Sequence, residues 1–185
     1  MVAAASFQWT NPAELSLPLG YAELRWYAAY TCAKHEKRVA AKLRGRGVEH
    51  YLPLYSSVRR WRDRRVRLDL PLFPGYVFVR LALRDKLRVL QIPGLVHLVS
   101  FNGQPAALSD DEMEVLRRGL TDQLHAEPHP YLAVGRRVRV GSGPLAGLEG
   151  IIVRKKNRVR FVISLNLIMR SVSVELDDAD IAPVS

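Results

Sequence analysis

The segment PLFPGYVFVRL, Pro71 to Leu81, constrains the fold more than any other part of this chain. From Tyr76 to Leu81 every residue but Arg80 is aromatic, β-branched or leucine, a composition that favours strand over helix. A strand that is apolar on both faces needs cover on both sides, which places it in the centre of a sheet, beneath helices or beneath a partner. Pro71 and Pro74 stand before the strand, where a missing ladder donor costs least. Gly75 lets the backbone turn in without a side chain.

The surrounding sequence supplies the rest of an α+β domain. RWYAAYT, Arg25 to Thr31, reads as a strand with Trp26, Ala28 and Tyr30 on one face and Tyr27 and Ala29 on the other. Lys34 to Arg44 reads as a helix, because Glu36, Val39, Ala40 and Leu43 recur at three- and four-residue spacing and RGRG follows to stop it. Lys34, Lys37, Arg38 and Lys42 fall on its other side. EHYLPLYSSVRRWRDRRVRLDLPL reads as a hairpin tipped with arginine, its bend near Asp63. Arg84 to Leu90 reads as a short helix and LVHLVSF as another strand. SDDEMEVLRRGLTDQL opens with the capping pattern Ser109 to Glu112, and Met113, Leu116, Leu120 and Leu124 form its apolar stripe.

After this helix the character changes. HAEPHPY has two prolines and no apolar period, so the expected division is a tail over 1–22, a first domain over 23–124, a linker over 125–133 and a second domain over 134–185. The second domain reads as short strands, RRVRV, EGIIVRK, VRFVISL and SVSVEL, for which a small β-barrel is the economical solution.

Lys plus Arg outnumber Asp plus Glu 28 to 18, a formal charge of +10 that favours polyanions, nucleic acid before membrane. Cys32 is the single cysteine, which excludes an internal disulfide and a multi-thiolate zinc site and suits a reducing compartment. The N-terminus has no basic start and is broken by Pro12 and Pro18, so the chain is expected in the cytoplasm.

Catalysis finds little support. His35, His50, His97, His125 and His129 are scattered, and no H-x-x-x-H helix pair, C-x-x-C, G-x-S-x-G or G-K-[ST] loop is present. No metal, no cofactor and no enzymatic activity are expected. The basic features say more. RRWRDRRVR sets Arg60, Arg62 and Arg64 around Trp61, where guanidinium groups can reach phosphates and the indole can stack on a base; a solvated tip is the competing reading. VGRRVRVGSGPLAGLEGIIV pairs a basic-apolar strand with a turn holding Gly141, Gly143, Pro144 and Gly147, in the order of a KOW motif.

Four blocks, WYAAYTCAKHEKRVAAKL, PLFPGYVFVRL, GLVHLVSFNGQPAALSDDEM and GRRVRVGSGPLAGLEGIIV with SVSVELDD, occur in the order of the NusG family of transcription elongation factors. The chain resembles that family over nearly its whole length after the tail. PLFPGYVFV and the long SLNLIMRSVSVEL make it similar to the specialised RfaH and UpxY-type branch. The resemblance implies an N-terminal domain with an antiparallel sheet flanked by helices, joined to an SH3-like KOW barrel. It also implies antitermination at selected operons, with binding and no bond chemistry. An RNA-binding KOW protein of translation or ribosome assembly is the alternative; it leaves the ordered N-terminal blocks unexplained.

On matching positions, the resemblance assigns Tyr30, Phe73, Pro74, Tyr76 and Phe78 to a surface for the clamp helices of the RNA polymerase largest subunit. It implies that Arg38 and Lys42, with Lys34 and Lys37, meet non-template DNA of the transcription bubble. Asn166, Ile168, Met169 and Arg170 occupy the loop through which a KOW domain recruits its partner. Departure from the general pattern there argues against Rho and leaves a small-subunit ribosomal protein open. A monomer without membrane contact is expected, and the glycine-rich turn and β-branched strands favour the barrel over a helical hairpin.

Overall fold

The computed structural model describes residues 21–61, 64–119, 126–129, 136–141, 146–147, 149–155, 158–175 and 181–183. The first domain is built on strand β1 (Arg25–Thr31), which stands between β5 (Tyr76–Leu81) and β6 (Leu95–Leu98). β2 (Glu49–Tyr51) extends the sheet beyond β5, and β9 (Ala107–Leu108) also pairs with β1. All of these pairings are antiparallel.

The two faces of β1 enter two different cores, as the alternation in RWYAAYT requires. Trp26 and Ala28 pack with Leu72, Phe73, Phe78, Leu108, Met113 and Leu116. Tyr27 and Ala29 pack with Val39, Leu43, Val77, Val79, Leu81, Val89 and Ile92. Helices α1 (Glu36–Gly45) and α2 (Lys86–Leu90) therefore cover one side, and α3 (Asp110–Gly119) covers the other. Each fully buried Val or Leu contributes about 1.5–3 kcal/mol, so this cover on both sides outweighs any local preference of the strands.

The ends of the helices follow the sequence. α3 starts with a capping box: the Ser109 amide donates to Glu112 Oε2 at 3.1 Å, and the Glu112 amide donates to Ser109 Oγ at 3.2 Å. α1 begins at Glu36 and excludes Lys34, whose φ of 63° lies in the left-handed region. The expected hairpin is β3 (Leu54–Trp61) and β4 (Arg64–Pro71), a two-stranded sheet paired to no other strand among the described residues. LVHLVSF divides into β6 and β7 (Ser100–Phe101), and β7 pairs with β8 (Gln104–Pro105).

The second domain is an antiparallel sheet ordered β10-β14-β13-β12-β11-β15. Its strands are β10 (Ala126–His129), β11 (Arg136–Val140), β12 (Glu149–Lys155), β13 (Arg158–Leu165), β14 (Arg170–Glu175) and β15 (Ile181–Pro183). The four strands read from sequence are present, and the α+β class with a smaller all-β domain is what the structure contains. The turn between β11 and β12 has Gly147 at φ +88°, its amide donating to the Val140 carbonyl at 2.8 Å. Part of the expected linker is strand, because β10 pairs with β14 from Ala126↔Val174 to His129↔Ser171. His125, and with it the rest of the expected linker beyond His129, lies outside the described residues, as do Leu120 and Leu124 of the helical stripe.

Candidate interaction surfaces

The approach to β5 is fixed from two sides. The Thr31 amide donates to the Gly75 carbonyl at 2.8 Å, and the Gly75 amide donates to Glu36 Oε1 at 2.8 Å. Glu36 is buried, and a buried carboxylate is tolerable because it takes this bond and sits in the first turn of α1, where the helix dipole favours negative charge. Gly75 has φ +86°, and a Cβ built there would stand 3.2 Å from the Tyr30 ring. The turn is thus held to α1 by a hydrogen bond and to Tyr30 by close packing.

Register turns this turn into a surface. Tyr30 is paired directly with Tyr76 on β5 and with His97 on β6. Their rings lie abreast across three strands, Tyr30 being 5.4 Å from Tyr76 and 5.2 Å from His97 between centroids. Tyr30 is 37% exposed, His97 and Pro74 are exposed, and Tyr76 is half-buried. Nothing local in the sequence marks His97 for this row; its pairing with Tyr30 across β1 and β6 is what places it here.

Phe73 and Phe78 require a correction. Both are buried, and their rings meet edge to face at 5.5 Å inside the core. They are not available to a partner, and the half-buried Tyr76 packs against the cluster they belong to. Tyr76 and Phe78 share a strand face yet differ in exposure, since Tyr76 stands at the strand's first position and Phe78 two residues inward.

The basic face of α1 is present in part. Lys37 and Arg38 are exposed, Lys42 is half-buried, and Lys34 is exposed just before the helix. On the hairpin, Arg60 and Arg64 are exposed, Trp61 is paired with Arg64 at the last described position of β3, and Arg62 lies outside the described residues. Asn166 and Ile168 fall in a single 3-10 turn before β14. Ile168 is buried against the core, which removes it from the expected partner surface; Met169, at φ 50°, and Arg170 are exposed.

The two domains meet beside the aromatic row. The Arg170 guanidinium stands 6.0 Å from the centroid of the Tyr76 ring, and one apolar cluster includes Phe73 and Phe78 together with Ile163, Leu165, Ile168, Val172 and Val174. On the far side of the sheet's end, Glu49 Oε1 accepts from Arg117 at 3.3 Å and Glu49 Oε2 from Arg80 at 3.4 Å. Burial pushes the Tyr51 hydroxyl up to about 12, and it donates to the Leu116 carbonyl at 3.2 Å. Among the described residues no group of three or more His, Cys, Asp or Glu is placed to hold a metal ion, and no helix is long and apolar enough to cross a membrane.

The family profile described as "Transcription termination factor nusG" matches residues 24–117, just over half of the chain and nearly the whole of its first domain. This chain belongs to the NusG family. The "Transcription termination/antitermination protein NusG" of Vibrio vulnificus (strain CMCP6) is 28% identical over 169 residues, covering 83% of this chain and 92% of that relative. The protein of the same description from Escherichia coli (strain K12) is 28% identical over 170 residues, with the same coverage. The solved structure described as "Domain interaction in Thermotoga maritima NusG" superposes with a TM-score of 0.58 at 24% identity, over 90% of this chain and all of that one. It supports the fold. As a NusG-family protein this chain is a transcription factor of the elongation and antitermination class.

Proposed function

We propose that this protein binds the clamp helices of the RNA polymerase largest subunit through Tyr30, Pro74 and Tyr76, with His97 beside them, and bridges the cleft to suppress pausing or termination. The observation that carries the reading is the row of partly exposed rings across β5, β1 and β6, next to the exposed Pro74. Aromatic side chains on a fixed sheet lose little conformational freedom on binding and supply most of the energy of such interfaces. Lys37 and Arg38, with Lys34 and Lys42, face non-template DNA. Met169 and Arg170 offer the second domain's contact to a small-subunit ribosomal protein, whereas Rho is not expected.

PLFPGYVFV and the long SLNLIMRSVSVEL support action at selected operons, as a specialised branch of the family would act. A paired assay tests the proposal: retention of the full chain on purified core RNA polymerase, and elongation across a leader template with and without the protein. Wild-type protein is retained and shortens pauses, and Tyr30→Ala/Tyr76→Ala loses about tenfold or more in retention, as expected for two interface anchors. Absence of retention together with unchanged elongation would overturn it.

A further inference from the structure

We propose that Glu36 is a positioning residue for the polymerase surface: its carboxylate fixes the turn that presents Pro74 and Tyr76. This role rests on the clamp-helix reading of that surface. The turn is Phe73-Pro74-Gly75-Tyr76. The Tyr76 amide donates to the Phe73 carbonyl at 3.1 Å, with Pro74 and a glycine of φ +86° between them. Proline at the first central position and a left-handed glycine at the second is the pattern of a type II turn.

The hydrogen bond that closes such a turn leaves its central peptide without a partner. Types I and II differ in which way that peptide faces, and proline at the first central position is compatible with both. The amide of that peptide here is Gly75's, and it donates to Glu36 Oε1 at 2.8 Å. The Gly75 carbonyl accepts from the Thr31 amide at 2.8 Å, next to the pairing of Tyr30 with Tyr76. Strand pairing thus holds the exit of the turn, and Glu36 holds the facing of its central peptide. Pro74 forms one side of that peptide and Tyr76 follows the other, so its facing sets how both stand toward a partner.

Glu36 occupies a position that otherwise suits an apolar side chain. It lies on the buried stripe of α1 with Val39, Ala40 and Leu43, and it is 5% exposed. No described basic side chain forms an ion pair with it. The first turn of the helix eases the cost of burying its charge, and an apolar residue would avoid that cost altogether. A residue that breaks the local pattern in this way marks a functional or strained site. The bond to Gly75 is what the carboxylate supplies and an apolar side chain could not.

Glu36→Leu and Glu36→Gln separate position from packing. Leucine continues the apolar stripe and cannot accept from Gly75; glutamine keeps an acceptor oxygen at the same reach. Two quantities are measured on the full chain: hydrogen exchange at the Gly75 amide, and affinity for core RNA polymerase well below the melting temperature. In wild type and Glu36→Gln the amide is protected, and their affinities agree within about threefold. In Glu36→Leu it exchanges freely while the β1–β5 amides stay protected, and affinity falls about fivefold or more, because the anchors are ordered only on binding. A merely structural Glu36 would shift melting and leave affinity where it was. Free exchange at Gly75 in wild type overturns the role, whether or not Glu36→Leu folds. So does Glu36→Leu binding within about twofold of wild type, or Glu36→Gln falling with it. Tyr30→Ala/Tyr76→Ala is the control: wild-type binding by that variant would defeat the clamp-helix reading itself, whereas its loss beside unchanged Glu36→Leu binding defeats the positioning role alone.

Discussion

At the scale of single residues, Gly75 shows how one position couples backbone to surface. Its φ of +86° belongs to the region that side-chain-bearing residues avoid, and a methyl group there, 3.2 Å from the Tyr30 ring, would push that ring aside by a few tenths of an ångström. Gly75→Ala is therefore expected to destabilise the protein by about 1–3 kcal/mol, from backbone strain and displacement of Tyr30 together. Denaturant titration reads this as a lower midpoint at unchanged m. A midpoint equal to wild type would show that the turn does not need its left-handed conformation. That a glycine belonged before β5 was legible from the sequence. That it packs on Tyr30, more than forty residues earlier in the chain, was not, because β1 and β5 are brought together by pairing and not by proximity along the chain.

At the scale of elements, β2 and α3 are joined by Tyr51, whose hydroxyl donates to the Leu116 carbonyl in α3. Burial favours the neutral phenol in the folded state and raises its pKa from 10.0 to about 12, partly opposed by the Arg117 charge. Above pH 10 the unfolded chain loses this proton while the folded protein keeps it, so this group's effect is constant below pH 10 and stability falls as pH rises from 10 to 12. The loss amounts to at most about 3 kcal/mol, less what solvent screens at a half-buried site. Tyr51→Phe is expected to flatten the alkaline decline of stability over that window, read from thermal melts at a series of pH values. An unchanged decline would assign it to other groups. The hairpin illustrates the same limit on sequence reading: the arginine-rich tip was evident in RRWRDRRVR, but which arginines share a face depends on register, set by the pairing of Arg60 with Arg65.

At the scale of the whole molecule, the second domain touches the first at the place where a partner is proposed to bind. Arg170 over the Tyr76 ring is a contact between domains worth about 0.5–1 kcal/mol, and it competes with any partner for the same ring. Arg170→Ala in the full chain is accordingly expected to raise retention on core RNA polymerase by about two- to fivefold, measured by competition binding. Lower retention would instead make Arg170 part of the polymerase surface. The strand β10 belongs to this scale as well: Pro128 marks AEPH as linker by composition, yet it lies on the edge strand of its sheet among the described residues, where proline is accommodated.

By itself the sequence determined the elements and their class. Alternation in RWYAAYT, the apolar run of β5, the capping box of α3 and the glycine-punctuated strands after residue 134 are local signals, each carried by neighbours along the chain. Tertiary structure decided which of those residues face a partner. Phe73 and Tyr76 are aromatic neighbours in the same segment, but one is enclosed by the core and the other reaches the edge beside Tyr30 and His97. Burial is a property of what packs on a side chain from distant segments, and periodicity along a strand says which face a residue takes without saying whether that face is covered.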